Sequence, residues 1–196
     1  FYLFLKSEYF PMNVKVFSDI PVENYDAESI GNNIYKIKVK IKGGSYGYHP
    51  LSVKAIVNGK NVFKSRERTI YISPNSKYSF CFVHITDTHF GSPKFNKTTF
   101  YTARGLINSI NPALVVVSGD LTHHGYLEEY SSYKSEIERF NMPVYSVPGN
   151  HDSYTDPKLV RYFEILGFPN YTFDFGNSHF IAVDSTYPRR TNGGLQ

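Results

Sequence analysis

Residues 80–89 read Phe-Cys-Phe-Val-His-Ile-Thr-Asp-Thr-His, an apolar run that ends in a cluster of carboxylate and imidazole side chains. A run of this kind is typical of a β-strand that is buried on both faces. Two similar runs follow, at residues 113–117 and 143–147, each after apolar residues at helical spacing (100–110 and 127–140). This alternation of strands and helices predicts an α/β layer with a parallel sheet.

The stretch after the third strand predicts one more helix and two more strands. Asp156-Pro157 is an N-cap followed by a proline suited to a first helical position, so we expect a helix from there to about Leu166. Residues 171–175 and 179–183 are expected to form two closing strands.

Residues 1–77 have a different pattern, which predicts β-structure throughout. Tyr35 to Ile41 alternates apolar residues with lysines, so one face is expected inside and one in water. The lysine row is interpreted as the solvated face of an edge strand, with an anion-binding stripe as the alternative. Asn58-Gly59 predicts a tight hairpin turn. Phe1–Leu5 is interpreted as a first strand, with the tail of a removed leader as the alternative.

The predicted organisation is therefore a small all-β, immunoglobulin-like sandwich at residues 1–77, followed by an α/β domain at residues 78–196.

The chain has 196 residues, and its 21 basic and 17 acidic residues give a net charge of +4. Because the lysines are scattered, a nucleic-acid partner is not indicated. Cys81 is the only cysteine, which excludes an internal disulfide, and we expect it to be a buried, inert thiol.

Each buried strand of the second domain is followed by a polar cluster. These clusters are Asp87-Thr88-His89, Gly119-Asp-Leu-Thr-His-His-Gly125 and Gly149-Asn-His-Asp152. The carboxyl ends of adjacent parallel strands meet at one crevice, so the clusters should lie together. Carboxylates, imidazoles and an amide oxygen form a ligand set for hard or borderline divalent cations. A bridging carboxylate can hold two such ions with a hydroxide between them, for attack on phosphorus.

These three ordered blocks resemble the signature of calcineurin-like metallophosphoesterases, and the resemblance covers residues 79–186. The dipeptides that follow the first and second blocks, Phe90-Gly91 and Leu121-Thr122, are similar to those in the branch of the family that contains class III cyclic-nucleotide phosphodiesterases. The resemblance implies an αββα sandwich, of which this chain holds part, and two divalent ions (Mn, Fe or Zn). It implies hydrolysis of phosphate mono- or diesters.

The resemblance also implies a role for each matching residue. Asp87 and His89 would bind the first metal, Asp120 would bridge both, and Asn150 would bind the second. His151 would act at the leaving oxygen as a general acid.

His123 departs from the pattern, because many relatives have at this position an acidic residue that orients the catalytic imidazole. DNA-repair nucleases of the family also carry histidine there, so His123 is kept as a candidate catalytic residue. His84 and His179 are expected to be core histidines, and His49 a structural one.

A second departure concerns the histidines that the family supplies further along the chain. No histidine follows residue 184 here, and the Gly-His-x-His element is missing. We therefore expect a truncated chain that binds at most one metal ion weakly and is nearly inactive by itself.

Two other functions stay open, a non-catalytic interaction module and a nuclease. The phosphoesterase-like subunit of retromer represents the first; retention of His151 favours an enzyme. A nuclease needs a basic stripe, and Arg189-Arg190 is the only compact basic pair near the clusters.

The expected partner is a phosphate-ester substrate. Membrane contact would require segments outside this chain, the oligomeric state is open, and the compartment is open with an inclination towards an extracytoplasmic one.

Overall fold

A computed structural model describes residues 2–73 and 79–186 of the chain. The chain divides into two compact units, Phe1–Pro74 and Asn75–Gln196. Among the described helices, none is both long and apolar enough to span a membrane.

The described part of the first unit contains six strands in two three-stranded antiparallel sheets. Their orders are β1-β4-β3 and β2-β5-β6. The strands are β1 (Tyr2–Lys6), β2 (Met12–Phe17), β3 (Val22–Gly31), β4 (Ile34–Ile41), β5 (Gly47–Val57) and β6 (Lys60–Ile72). Both sheets contribute to one core, formed by Val16, Ile20, Ile37, Val39, Leu51, Val53 and Ile70. The likeness to immunoglobulin domains stays a prediction.

The alternation in β4 has the predicted consequence for burial, but the position of the strand in its sheet differs from the expectation. Tyr35, Ile37 and Val39 are buried, as period two requires. β4 is the central strand of its sheet, not an edge strand, because β1 and β3 pair with its two sides. The turn between β5 and β6 is Asn58-Gly59, with φ of 49° and 72°, the left-handed geometry that the dipeptide predicted.

The second unit contains a parallel sheet of order β7-β8-β9 and a separate antiparallel pair, β10 and β11. Its elements are β7 (Phe82–Thr86), α1 (Lys97–Ile110), β8 (Leu114–Ser118), α2 (Leu127–Ile137), β9 (Val144–Val147), a 3₁₀ turn (His151–Ser153), α3 (Val160–Leu166), β10 (Tyr171–Phe175) and β11 (Ser178–Ala182). The predicted order of strands and helices is confirmed.

Helix boundaries follow the local sequence with one exception. The Asn96 side chain accepts a hydrogen bond from the Thr99 N–H at the start of α1, and Asn111 ends the helix in a left-handed conformation. The prediction that Asp156-Pro157 opens α3 is wrong by one turn. Asp156 instead accepts from the Arg161 N–H at 2.6 Å, and the helix begins at residue 160.

The two faces of the parallel sheet have different neighbours. On one face the three helices enclose a core that includes Val115, Val117, Tyr130, Tyr133 and Tyr162. On the other face aromatic rings connect the sheet to β10 and β11, with Tyr145 stacked on Phe173 at 3.6 Å between ring centroids.

Three expectations of burial in the second unit are wrong. His84 bonds the Ser118 hydroxyl on an exposed part of the sheet face, and His179 is an exposed partner of Asp174. Alternation along β7 directs His84 away from the helix-covered face of the parallel sheet, and alternation along β11 directs His179 away from the side on which Phe180 packs against Phe82. Cys81 is also exposed; it lies one residue before β7 begins.

Candidate functional site

The loops that follow β7 and β8 are joined by main-chain hydrogen bonds. The N–H groups of Asp87, His89 and Phe90 donate to the carbonyls of Gly119, Asp120 and Leu121 at 2.9–3.2 Å. The parallel pairing of the two strands therefore continues past their ends. This continuation holds the first polar cluster beside the second.

Asp87, His89 and Asp120 consequently share one small region. One ligand atom from each lies within 4.8 Å of the others. His89 Nε2 is 3.8 Å from Asp87 Oδ1 and 3.6 Å from Asp120 Oδ2. These separations are too long for hydrogen bonds. They are close to the roughly 3.4 Å that separates two ligands of one tetrahedral ion with bonds of about 2.1 Å.

The backbone at these three residues is in the left-handed region. The φ angles are 55° at Asp87, 46° at His89 and 49° at Asp120. Asp and His tolerate this region better than most residues, but it still costs about 1–2 kcal/mol for each. Strain of this kind concentrates at functional sites, where the surrounding structure maintains it.

His151 joins the cluster from the loop after β9. Its main-chain N–H donates to Asp120 Oδ1 at 3.0 Å, and its Nε2 lies 4.0 Å from Asp120 Oδ2. Its Nδ1 lies 2.8 Å from the His123 carbonyl oxygen. Since a carbonyl only accepts, Nδ1 carries a proton and Nε2 is the nitrogen available for chemistry.

The contact that orients His151 therefore comes from the main chain of His123, and not from a side chain at position 123. The His123 side chain is partly buried, with its ring 5.3 Å from that of His151. Burial, and then the neighbouring imidazoles of His124, His151 and His89, lower the pKa of His123. The ring is thus neutral near pH 7.

Asn150 is the remaining predicted ligand. Its side-chain amide donates to the Tyr154 hydroxyl at 3.0 Å, which leaves the amide oxygen for another partner.

Asp152 is a buried residue of the site to which the sequence analysis assigned no role. Its carboxylate accepts from the N–H groups of Leu121, Thr122 and Gly149 and from the Thr122 hydroxyl, at 2.6–3.0 Å. Burial raises the pKa of Asp152, against these hydrogen bonds, which lower it. The carboxylate connects the loop after β8 to the loop after β9. Asp152 ends the Gly-Asn-His-Asp block, and this position was the sequence signal that could have identified it.

Glu129 is a second buried residue that the sequence analysis missed. Its carboxylate accepts from the N–H groups of His124 and Tyr126 at 2.9 and 3.1 Å and caps the start of α2. An acidic residue at the third helical position is a known sequence signal for such a cap. The His124 ring lies against Tyr126 and is about half exposed.

The side chains present at this site fit a divalent cation. Two carboxylates and an imidazole are suitable donors, and the nitrogens of His89, His123 and His151 form a second group within 4.8 Å. Within the described residues, the buried Nδ1 atoms of His89 and His123 have no hydrogen-bond partner. A buried nitrogen is costly in that state unless an ion, water or ligand satisfies it.

Comparisons with known proteins agree with the resemblance in the motifs. A family model described as calcineurin-like phosphoesterase matches residues 81–195. A probable glycerophosphodiester phosphodiesterase of Arcobacter nitrofigilis is 33% identical over 122 residues, which are 57% of this chain and 41% of the relative. A probable cyclic nucleotide phosphodiesterase of Vesicomyosocius okutanii is 25% identical over 122 residues, 60% of this chain and 51% of the relative. The chain thus spans about half the length of the curated relatives it matches.

Among solved structures, a purple acid phosphatase from yellow lupin seeds aligns with a TM-score of 0.49 and 14% identity. The alignment covers 88% of this chain and 39% of the plant protein.

Proposed function

This chain belongs to the calcineurin-like phosphoesterases, and from that premise we propose that the protein hydrolyses phosphate mono- or diesters with divalent metal ions. The relatives named as glycerophosphodiester and cyclic nucleotide phosphodiesterases support an ester of phosphate as the substrate.

One observation carries the proposal: the ligand atoms of Asp87, His89 and Asp120 lie within 4.8 Å of one another. Asp87 and His89 would hold the first ion, Asp120 would contact both ions, and Asn150 would contact the second. When bound, the ions activate water and neutralise the negative charge of the phosphate.

His151 would supply the proton that the leaving oxygen requires. Its Nδ1 is occupied by the His123 carbonyl, so Nε2 is the nitrogen that carries and releases this proton. The His151 side chain is about a quarter exposed, which allows substrate to reach it. An imidazole held in this way favours an enzyme over a purely structural interaction module. A catalytic role for the His123 side chain stays a prediction.

Metal titration tests the site independently of activity. We expect this chain to bind about one Mn²⁺ or Zn²⁺ at Asp87, His89 and Asp120, with water completing the coordination. Asp120→Asn should abolish binding, whereas Asp174→Asn, an exposed carboxylate on β10 whose side chain is 80% exposed, should leave it unchanged.

Hydrolysis of p-nitrophenyl phosphate and bis-p-nitrophenyl phosphate tests the chemistry. Because this chain by itself is expected to be nearly inactive, the expected result is a low metal-dependent turnover that disappears in Asp120→Asn and persists in Asp174→Asn. Binding of two tight, equivalent ions would contradict the assigned ligand set. Turnover that survives Asp120→Asn would contradict the proposed reaction.

A further inference from the structure

A cavity of about 670 Å³ opens beside the candidate metal ligands and extends beneath α1. Asp87, His89 and His151 line one end of it. Its volume lies in the range of about 300–1,000 Å³ that is typical of small-molecule pockets. We call this cavity the α1 pocket.

The walls of the α1 pocket away from the metal ligands combine an apolar, aromatic part with a polar part that includes Ser92, Asn96 and Thr99. Phe95, Phe100 and Phe140 line it, with centroids of neighbouring rings 6.0–6.4 Å apart. On α1, Ala103 and Ile107 face the pocket one turn apart. The phenylalanine rings offer a flat apolar group contacts that a small polar alcohol such as glycerol cannot use.

The charges in the lining are few and are distributed unevenly. Arg104 is engaged by Glu136 and lies over the Tyr101 ring at 4.9 Å. Lys94 is exposed and forms no ion pair within the described part of the chain. The pocket thus combines an apolar interior with a lysine suited to an anionic ligand.

We propose that the α1 pocket binds the organic group of the phosphate ester and that the preferred substrates are esters of an aromatic alcohol. This inference rests on the proposed function, because the phosphoryl group would lie at Asp87, His89 and Asp120. The aromatic group would then extend past His151 to Phe95 and Phe100. The ester oxygen between the two parts would lie beside the His151 imidazole.

Binding of two non-hydrolysable anions tests the inference. In the Mn²⁺-loaded chain, phenylphosphonate should bind at least about tenfold more tightly than methylphosphonate, because the pocket removes the ring from water. Equilibrium constants come from isothermal titration or NMR shift titration.

Two leucine variants on α1 test whether the preference for phenylphosphonate arises in the α1 pocket. Ala103 is exposed into the pocket, so Ala103→Leu should fill it and remove the phenyl preference while leaving methylphosphonate affinity unchanged. Unchanged methylphosphonate binding also shows that the variant is folded. Thr102→Leu adds the same side chain on the exposed helix surface outside the pocket lining and should keep the preference.

Equal affinities of wild-type protein for the two phosphonates would overturn the inference, as would a phenyl preference that survives Ala103→Leu. Failure of the proposed function gives a different result. In that case the phenyl preference persists, but the Mn²⁺-loaded chain shows no residual hydrolysis of either nitrophenyl ester above the level of its Asp120→Asn variant.

Discussion

At the residue scale, a hydrogen bond within the described residues holds only one of the two ring nitrogens of His151. Its Nδ1 is held by the His123 carbonyl, and its Nε2 lies in the lining of the α1 pocket, 4.0 Å from Asp120. In the metal-loaded full-length protein we expect His151→Ala to lower kcat by roughly 10²–10⁴-fold, the usual contribution of a general acid. Metal content, measured by elemental analysis, should not change, because the assigned ligands remain.

The leaving group supplies the control for this prediction. An ester of p-nitrophenol needs little protonation, so its hydrolysis should lose less rate in His151→Ala than that of an alkyl ester. Equal losses for both esters, or loss of the metal, would contradict a general-acid role for His151.

Asp152 is the residue whose removal should most damage the local structure. Asp152→Ala leaves three main-chain N–H groups and the Thr122 hydroxyl without their buried acceptor. We expect the free energy of unfolding of the second unit to fall by about 3–5 kcal/mol. Urea denaturation, followed through NMR signals of the second unit, gives this quantity.

Asp174→Ala is the matched comparison, since Asp174 is an exposed carboxylate of the same unit. Its substitution should change stability by less than about 0.5 kcal/mol. Similar losses in the two variants would show that the buried hydrogen bonds of Asp152 are not what stabilises the loops.

At the scale of elements, the loops after β8 and β9 approach each other without space for a side chain. A Cβ on Gly149 would overlap the main-chain nitrogen and Oδ1 of Asp120. Gly149→Ala should therefore displace Asp120 and lower Mn²⁺ affinity by at least about tenfold, a shift of 1.4 kcal/mol. Metal titration measures this change.

Gly105→Ala is the control for a glycine in open space. Gly105 lies within α1, and nothing lies within 4 Å of a Cβ added there. Alanine should stabilise the helix by roughly 0.5–1 kcal/mol and leave Mn²⁺ affinity unaltered. Unaltered Mn²⁺ affinity in Gly149→Ala would mean that the loop can move without disturbing Asp120.

At the scale of the whole molecule, the first unit contains a histidine, His49, whose ring can titrate and whose hydrogen bonds connect residues far apart in the sequence. The buried His49 ring places Nδ1 2.9 Å from Asp19 Oδ1 and Nε2 2.8 Å from the Ser45 carbonyl oxygen. Only an imidazolium can donate to both acceptors. The hydrogen bond to the Ser45 carbonyl has the largest effect and raises the pKa of His49; burial opposes it, the Asp19 carboxylate reinforces it, and the net shift is upward.

The sign of the pH dependence follows from this raised pKa. Because it lies above the unfolded value of 6.5, the stabilisation is complete below about pH 6.5 and is lost as the pH rises through the folded pKa. The first unit should therefore be less stable at alkaline than at acidic pH within this window. Urea denaturation at several pH values, followed through NMR signals of β4 and β5, measures the effect.

His49→Gln should remove this part of the pH dependence, since glutamine does not titrate. An NMR titration of His49 with a midpoint at or below 6.5 would contradict the prediction, and so would an unchanged pH profile in the variant.

Local sequence signals predicted most element positions. Asn58-Gly59 marks a turn that the structure also has, because the geometry of a tight turn depends on the residues within it. Asp156-Pro157 misplaced the start of α3, since the Asp156 side chain bonds further along the chain, at Arg161. Burial of Cys81, His84 and His179 was also predicted wrongly, because apolar neighbours in sequence do not determine which face of a strand is covered.

By itself, the sequence determined the order of strands and helices in the second unit and the family, through the three blocks around Asp87, Asp120 and His151. The element order and the family depend on residue type and spacing, which can be read directly from the sequence. Only the tertiary structure decided that β4 is central in its sheet, that Asp152 joins two loops, that the His123 carbonyl orients His151, and that a pocket lies beneath α1. Each of these is a contact between residues far apart in sequence, and the pairing of strands and packing of loops that create such contacts leave no local signal.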